Sequence, residues 1–263
     1  MKRFGQGFLA IYLFLIAIPV FGQGFAPKVD YPTGAGPYSV LASDLDGDGD
    51  DDLATANYFD QTVSILINNG AGILAAKVDY GTGASPASVF ASDLDGDTDN
   101  DLAVANYGSA TVSVLMNNGD GTFAAKVDYP TGANPVSVFA SDLDGDTDND
   151  LAVTNANSNT VSVLKNNADG TFAAKVDYVT GNSPLSVFAS DLDGDTDNDL
   201  AVANAGGSSV SVLNNNGDGT FATKVDYPTG GWGPISVFAS DLDGDSDNDL
   251  AVANNGSNTV SVL

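Results

Sequence analysis

Asp93-Leu-Asp-Gly-Asp-Thr-Asp-Asn-Asp-Leu102 is one of five near-copies of a single ten-residue string. The copies begin at Asp44, Asp93, Asp142, Asp191 and Asp241, at spacings of 49, 49, 49 and 50 residues. A fixed period of about fifty residues marks a repeat architecture. Carboxylates at alternate positions of a short glycine-containing loop are the donor chemistry of a hard cation such as Ca2+.

Outward from the string, the second unit reads as four extended runs. Leu74-Ala-Ala-Lys-Val-Asp-Tyr80 opens it, and Gly81-Thr-Gly-Ala-Ser-Pro86 turns the chain. Ser88 to Asp93 leads into the acidic string, Leu102 to Asn106 leaves it, and Thr111 to Met116 is the last run. Asn117-Asn-Gly-Asp-Gly121 is a hairpin signal that delivers the chain to Phe123 of the next unit. The runs are rich in Val, Phe, Leu and Thr and bounded by Gly, Asn, Pro and Asp, with no helical apolar period. Abundant Ala and Ser predict sheets packed closely face to face.

Four antiparallel strands per unit, repeated radially, make an all-β chain with the architecture of a β-propeller. A parallel β-helix is the runner-up, but its coils are shorter and need no hairpin in every turn. Separate β-sandwiches would need roughly 100 residues each. The organisation expected is a signal peptide over residues 1–22 and one domain over 23–263, with repeats 25–73, 74–122, 123–171, 172–220 and 221–263. The chain begins on a strand of the Phe25-Ala-Pro-Lys-Val-Asp-Tyr31 type and stops on Thr259-Val-Ser-Val-Leu263, which elsewhere precedes such a strand. Pairing of the two would close the ring and remove two open edges. The alternative is a structural fragment of a larger cell-surface protein.

All 35 acidic residues are Asp, and 26 of them lie inside the five strings. The formal net charge is −27, which argues against nucleic-acid binding because that needs a basic patch. A hydrophobic content of 43% argues against disorder. Without Cys there are no disulfides, no thiolate metal sites and no lipid anchor on cysteine. Met1-Lys-Arg3 is a basic start, Phe8 to Phe21 is an apolar run, and Val20-Phe-Gly22 suits a cleavage site after Gly22 or Gln23. The run falls short of the roughly 20 residues of a bilayer span. The chain is therefore expected to be secreted or at the cell surface, with no membrane span after cleavage.

In the second string, Asp93, Asp95, Asp97 and Asp101 stand at positions 1, 3, 5 and 9, with Asp99 at position 7 able to offer its carbonyl. Every donor is oxygen, which suits Ca2+ over Zn2+ or Cu2+. An EF-hand would want Glu at position 12, where Val104 stands, and flanking helices. Without a cation, each close carboxylate pair repels by about 4 kcal/mol at an effective dielectric of about 20. Calcium binding is therefore expected to be coupled to stability.

The string following Ser-Val-Phe-Ala-Ser and preceding Ala-Val-Ala-Asn resembles the FG-GAP/VCBS repeats of integrin-α-like calcium-binding propellers and of many secreted bacterial proteins, over essentially all of residues 25–263. The resemblance implies Ca2+, about one per loop, held by side chains at positions 1, 3, 5 and 9 and the position-7 carbonyl. These are Asp44, Asp46, Asp48, Asp52 and Asp50; Asp93, Asp95, Asp97, Asp101 and Asp99; Asp142, Asp144, Asp146, Asp150 and Asp148. In the last two loops they are Asp191, Asp193, Asp195, Asp199 and Asp197, then Asp241, Asp243, Asp245, Asp249 and Asp247. Two features depart from the family. Position 6 is Gly only at Gly49, against Thr98, Thr147, Thr196 and Ser246, and five units stand where family propellers usually have seven.

The acidic loops and hairpins barely vary and share one rim by alternation of strand direction. The other two turns of each unit vary most and share the opposite rim. They carry Tyr38, Tyr58, Phe59, Tyr107 and Trp232, candidate anchors for an extracellular protein or glycan. An adhesion or binding module is thus expected rather than an enzyme, with a carbohydrate-active enzyme domain as the less favoured alternative. His, Cys and Glu are absent, and Asp60 is the only acid outside both the strings and the repeated template, so no catalytic carboxylate pair is visible.

Overall fold

The computed structural model describes residues 27–263, so the expected signal peptide lies outside the described residues, as do the first two residues of the Phe25 run. Tyr31–Leu263 forms one compact unit. It contains five antiparallel sheets. The first holds β1 (Pro37–Ser43), β2 (Asp52–Asn57), β3 (Thr62–Leu66) and β4 (Val78–Gly81). The second holds β5 (Pro86–Ser92), β6 (Asp101–Asn106), β7 (Thr111–Leu115) and β8 (Val127–Pro130). The third holds β9 (Pro135–Ser141), β10 (Asp150–Asn155), β11 (Thr160–Leu164) and β12 (Val176–Val179). The fourth holds β13 (Pro184–Ser190), β14 (Asp199–Asn204), β15 (Ser209–Leu213) and β16 (Val225–Pro228). The fifth has three strands, β17 (Pro234–Ser240), β18 (Asp249–Asn254) and β19 (Thr259–Val262).

Strands within each sheet lie in sequence order, as hairpins demand. Each fourth strand comes from the start of the next sequence repeat, so sheet and repeat are out of phase by one strand. That strand is shorter than the sequence suggests: of Leu74 to Tyr80 only the last three residues, from Val78 on, pair in β4, and Leu74 makes an isolated bridge to Asn68.

The two faces of a sheet are complementary. In the second sheet, Phe90, Ala103 and Val114 sit side by side in register across β5, β6 and β7. The small residue between two large ones lets the next sheet approach closely. Ala103, Ala105, Val112 and Val114 pack there against Val138, Ala140, Leu151, Val153 and Leu164 of the third sheet. Phe90, Phe139, Phe188 and Phe238 form a row, with ring centroids 4.8, 4.8 and 4.7 Å apart.

Ring closure by the N-terminal strand is not formed among the described residues. Residues 27–33 adopt no strand, and β19 is the edge of its sheet. Packing carries the same message within Tyr31–Leu263. Val40 of β1 is 67% exposed where its counterparts Val89, Val138, Val187 and Val237 are at most 5% exposed against a preceding sheet. At the other end Phe238 and Val260 lack a following sheet and are exposed. The apolar faces of the first and fifth sheets therefore do not cover one another. No helix among the described residues is long and apolar enough to cross a membrane.

Candidate functional site

The acidic loops connect the first and second strands of every sheet, on the rim that also carries the β3–β4 type hairpins. Position 1 shapes each loop. Asp93 accepts the N–H of Gly96 at 2.8 Å on Oδ1 and that of Thr98 at 3.0 Å on Oδ2, and the same pair of bonds recurs at Asp44, Asp142, Asp191 and Asp241. Drawing the position-6 N–H inward forces that residue to a positive φ. Thr98, Thr147 and Thr196 sit at 79° and Ser246 at 81°, beside Gly49 at 90°. A β-branched residue is strained in this region by about 1–3 kcal/mol. The departure from glycine thus leaves the loop geometry unchanged and is borne as backbone strain.

Position 9 opens the second strand and is buried in the first four loops, where Asp52, Asp150 and Asp199 are fully buried and Asp101 is 1% exposed, while Asp249 of the fifth is half-buried. Asp101 Oδ2 accepts the Leu94 N–H at 2.9 Å, and Oδ1 accepts the Asn117 N–H at 2.7 Å. Burial pushes the carboxyls of Asp101 and Asp150 up to about 6, against the downward pull of these N–H donors. Burial raises Asp46, Asp95 and Asp199 as well, with neighbouring carboxylates adding to the rise.

Carboxylate oxygens of positions 1, 3 and 5 lie within 4.8 Å of one another in the loops of Asp44, Asp142 and Asp241. In the loops of Asp93 and Asp191 the converging set is positions 1, 3 and 9. The side chains of position 7 stand apart from these clusters. Asp50, Asp99 and Asp197 lie over hairpin glycines, so that a Cβ at Gly70, Gly119 or Gly217 would fall 2.5–2.7 Å from a carboxylate oxygen.

Successive loops are tied across sheets. Asn100 Nδ2 donates to Ser43 Oγ at 3.0 Å and to the Asp44 carbonyl at 3.2 Å, and Asn149, Asn198 and Asn248 repeat the link. From the hairpins, Asn117 Nδ2 reaches the Leu45 carbonyl at 2.8 Å, one sheet back.

On the opposite rim the two variable turns of each sheet bond to each other. The N–H of Tyr58 donates to the Gly36 carbonyl at 2.9 Å, and that of Tyr107 to the Ser85 carbonyl at 3.0 Å. Four of the five aromatic candidates converge here. Tyr58 lies 5.6 Å from Tyr38, 5.4 Å from Phe59 and 6.3 Å from Tyr107, centroid to centroid. Tyr38, Tyr58 and Tyr107 line a cavity of about 350 Å³, completed by Ala87, Val136, Ala156, Asn157, Ser183 and Leu185 from the second, third and fourth sheets. Trp232, 75% exposed on the fifth sheet, is not among its lining residues. Sequence reasoning named the tyrosines and overlooked the partners Asn157, Ser183 and Leu185, which stand in the same variable turns. Asp60 is a turn brace: its Oδ2 accepts the Ala35 N–H at 2.6 Å, as the hydroxyls of Ser109 and Ser158 accept those of Ala84 and Ala133.

The fold is similar to that of several solved proteins. A lectin from Agrocybe aegerita that recognises non-reducing terminal N-acetylglucosamine superposes with a TM-score of 0.60 at 22% identity, over 86% of this chain and 65% of its own. A periplasmic gluconolactonase from Pseudomonas aeruginosa gives 0.64 at 20% identity, over 86% of this chain and 65% of its own. Virginiamycin B lyase from Staphylococcus aureus gives 0.57 at 12% identity, over 87% of this chain and 70% of its own. The chain thus spans 65% of the length of the lectin and of the gluconolactonase.

The expectation that the chain is not an enzyme is corrected by these likenesses, since a lactonase and a lyase are built on the same fold. It rested on finding no paired acids along the sequence. A cavity assembled from the turns of four sheets gathers its groups from distant positions, so that test was too narrow. At these identities the likenesses establish the fold and no particular reaction.

No curated protein matches the chain in sequence. The model of the FG-GAP-like repeat matches four times, over residues 44–104, 93–153, 142–202 and 191–252. The chain belongs to the FG-GAP-like repeat family.

Proposed function

We propose that this chain is an exported, calcium-stabilised recognition module that binds a saccharide at the tyrosine-lined mouth. The observation that carries the reading is the convergence of Tyr38 at the start of β1 with Tyr58 and Tyr107 from turns of the first and second sheets on one cavity of about 350 Å³. That volume falls in the range of small-molecule sites, roughly 300–1,000 Å³. Aromatic rings give flat apolar faces for the C–H surface of a pyranose. Asn157 and Ser183, across the cavity, offer hydrogen bonds to its hydroxyls. A concave site of this size favours a sugar over a flat protein surface. The lectin on the same fold supports the reading by analogy.

Calcium belongs on the other rim. Ligands on opposite sides of a Ca2+ at roughly 2.3–2.6 Å lie about 5 Å apart, and the clustered oxygens lie within 4.8 Å of one another. The donors are all carboxylate, and the buried ones carry charge at a cost that a bound cation would remove. Asp44, Asp46, Asp48 and their counterparts would hold it; bound calcium supplies charge neutralisation and a fixed loop shape. Each first strand links the two rims directly. In the second sheet, β5 runs from Ala87 at the mouth to Ser92 beside Asp93. Secretion, by cleavage after Gly22 or Gln23, would place the module outside the cell.

A glycan array probed in calcium tests the saccharide reading. Binding to a defined set of terminal sugars, lost in Tyr58→Ala, is expected. Binding to none, by protein shown to be folded, would contradict it.

A further inference from the structure

Of the eight basic residues in the chain, Lys2 and Arg3 lie at the start, and Lys28, Lys77, Lys126, Lys175 and Lys224 belong to the repeated Lys-Val-Asp-Tyr run. Lys165 is the eighth, and it stands where the second unit has Met116 and the first has Ile67. The slot is the same in all three. A Cβ at Gly121 would fall 2.6 Å from Ile67 Cδ1 and 3.2 Å from Asp46 Cβ. At Gly170 it would fall 3.0 Å from Met116 Sδ and 3.2 Å from Asp95 Cβ. At Gly219 it would fall 2.6 Å from Lys165 Cε and 2.9 Å from Asp144 Cβ. The side chain in this slot is therefore pressed between position 3 of its own acidic loop and the hairpin of the next sheet.

In the third loop that side chain carries a charge. Lys165 Nζ lies 3.3 Å from Asp144 Oδ2 and donates to the carbonyl of Asp218. Asp144 is one of the three carboxylates that converge in that loop, with Asp142 and Asp146. The corresponding Asp46 and Asp95 face an apolar neighbour instead.

We propose that Lys165 is a resident cation of the third acidic loop, making it the loop that holds calcium most weakly. The inference rests on the calcium reading above. The ammonium already partners one of the carboxylates and would repel a divalent ion among them. Even with water-like screening, a divalent and a univalent cation about 5–6 Å apart repel enough to weaken binding on the order of tenfold. The other loops for which the slot is described carry Ile67, Met116 and Asn214, all neutral, so the penalty is confined to one site.

Calorimetric calcium binding to the full chain tests this, comparing wild type with Lys165→Met, which copies the second loop. Wild type should show one site at least about tenfold weaker than the rest, and Lys165→Met should convert it to the tight class. Asp142→Asn, which leaves Lys165 in place, should leave the number of tight sites in wild type unchanged, whereas Asp93→Asn should lower it by one. Equal site counts and affinities in wild type and Lys165→Met, or loss of a tight site in Asp142→Asn, would overturn the inference while leaving calcium binding intact. Absence of calcium binding from every protein would overturn the calcium reading and this inference with it.

Discussion

The backbone N–H of Asn117 donates to Asp101 Oδ1 at 2.7 Å, so the ninth residue of an acidic loop also anchors a hairpin sixteen residues later. The other oxygen of Asp101 holds the N–H of Leu94 at the start of the loop. One buried carboxylate thus joins the loop, the second strand and the hairpin. Asp52, Asp150 and Asp199 make the same two bonds.

Replacing Asp101 by Asn removes one acceptor and leaves a buried N–H without a partner, which costs about 1–3 kcal/mol. Calorimetric unfolding in calcium at pH 7 should show a lower midpoint for Asp101→Asn. Asp97→Asn, at an exposed position in the same loop, should lower it less. Equal midpoints for wild type and Asp101→Asn would count against this anchoring role.

Thr98, Thr147 and Thr196 hold a φ of 79° that glycine adopts without strain. Each Thr→Gly change should stabilise the chain, by about 1 kcal/mol, once the extra freedom glycine brings to the unfolded chain is subtracted. Chemical denaturation of the triple variant measures the sum. A destabilised triple variant would mean the threonine side chains contribute more than their backbone costs.

Much of this was legible in the residues. The period, the hairpin signals and the alternation of strand direction are local properties, and they specify four-stranded sheets with acidic loops on one rim and variable turns on the other. The residues pointed to positions 1, 3, 5 and 9 of each loop as one group, whereas the carboxylate oxygens that gather are those of positions 1, 3 and 5 in three loops and of 1, 3 and 9 in two, a choice set by how each side chain turns. What could not be read depends on how sheets meet. The open outer faces at Val40 and Phe238 follow from how the sheets stack, which no local pattern encodes. Asp60 looked singular, yet any short acceptor serves at its turn, so Ser109 and Ser158 do the same work. Lys165 was one basic residue in an acidic chain until packing placed it beside Asp144.

The mouth makes a sharp distinction among the aromatic candidates. Tyr58 touches the rings of Tyr38, Phe59 and Tyr107, whereas Trp232 stands on another sheet, outside the cavity lining. Tyr58→Ala should weaken saccharide binding at least about tenfold, since it removes a stacking face and unsettles its neighbours. Trp232→Ala should leave affinity within about twofold. The reverse pattern in a binding titration would move the site to the fifth sheet.

The two states of the acidic rim should respond to pH with opposite signs. Without calcium, Asp101 and Asp150 titrate near 6 in the folded chain, above their value when unfolded. Groups raised in this way contribute stability that is present at low pH and lost as pH rises through about 6. In chelator, lowering pH from 7 to 5 should therefore raise the unfolding midpoint by a few degrees. With calcium bound the carboxylates are held ionised, protonation competes with the ion, and the same pH change should lower the midpoint. Parallel slopes in the two conditions would show that these carboxylates do not meet the ion.

The most direct measurement is thermal unfolding of the full chain in EDTA and across a calcium series, with magnesium as the control. A ligand that binds only the folded state stabilises by about 2.7 kcal/mol per site at a hundred times its Kd. The midpoint is predicted to climb by well over several degrees and to keep climbing with the logarithm of calcium concentration, with little response to magnesium. A midpoint that stays where EDTA leaves it at every calcium concentration would contradict the account.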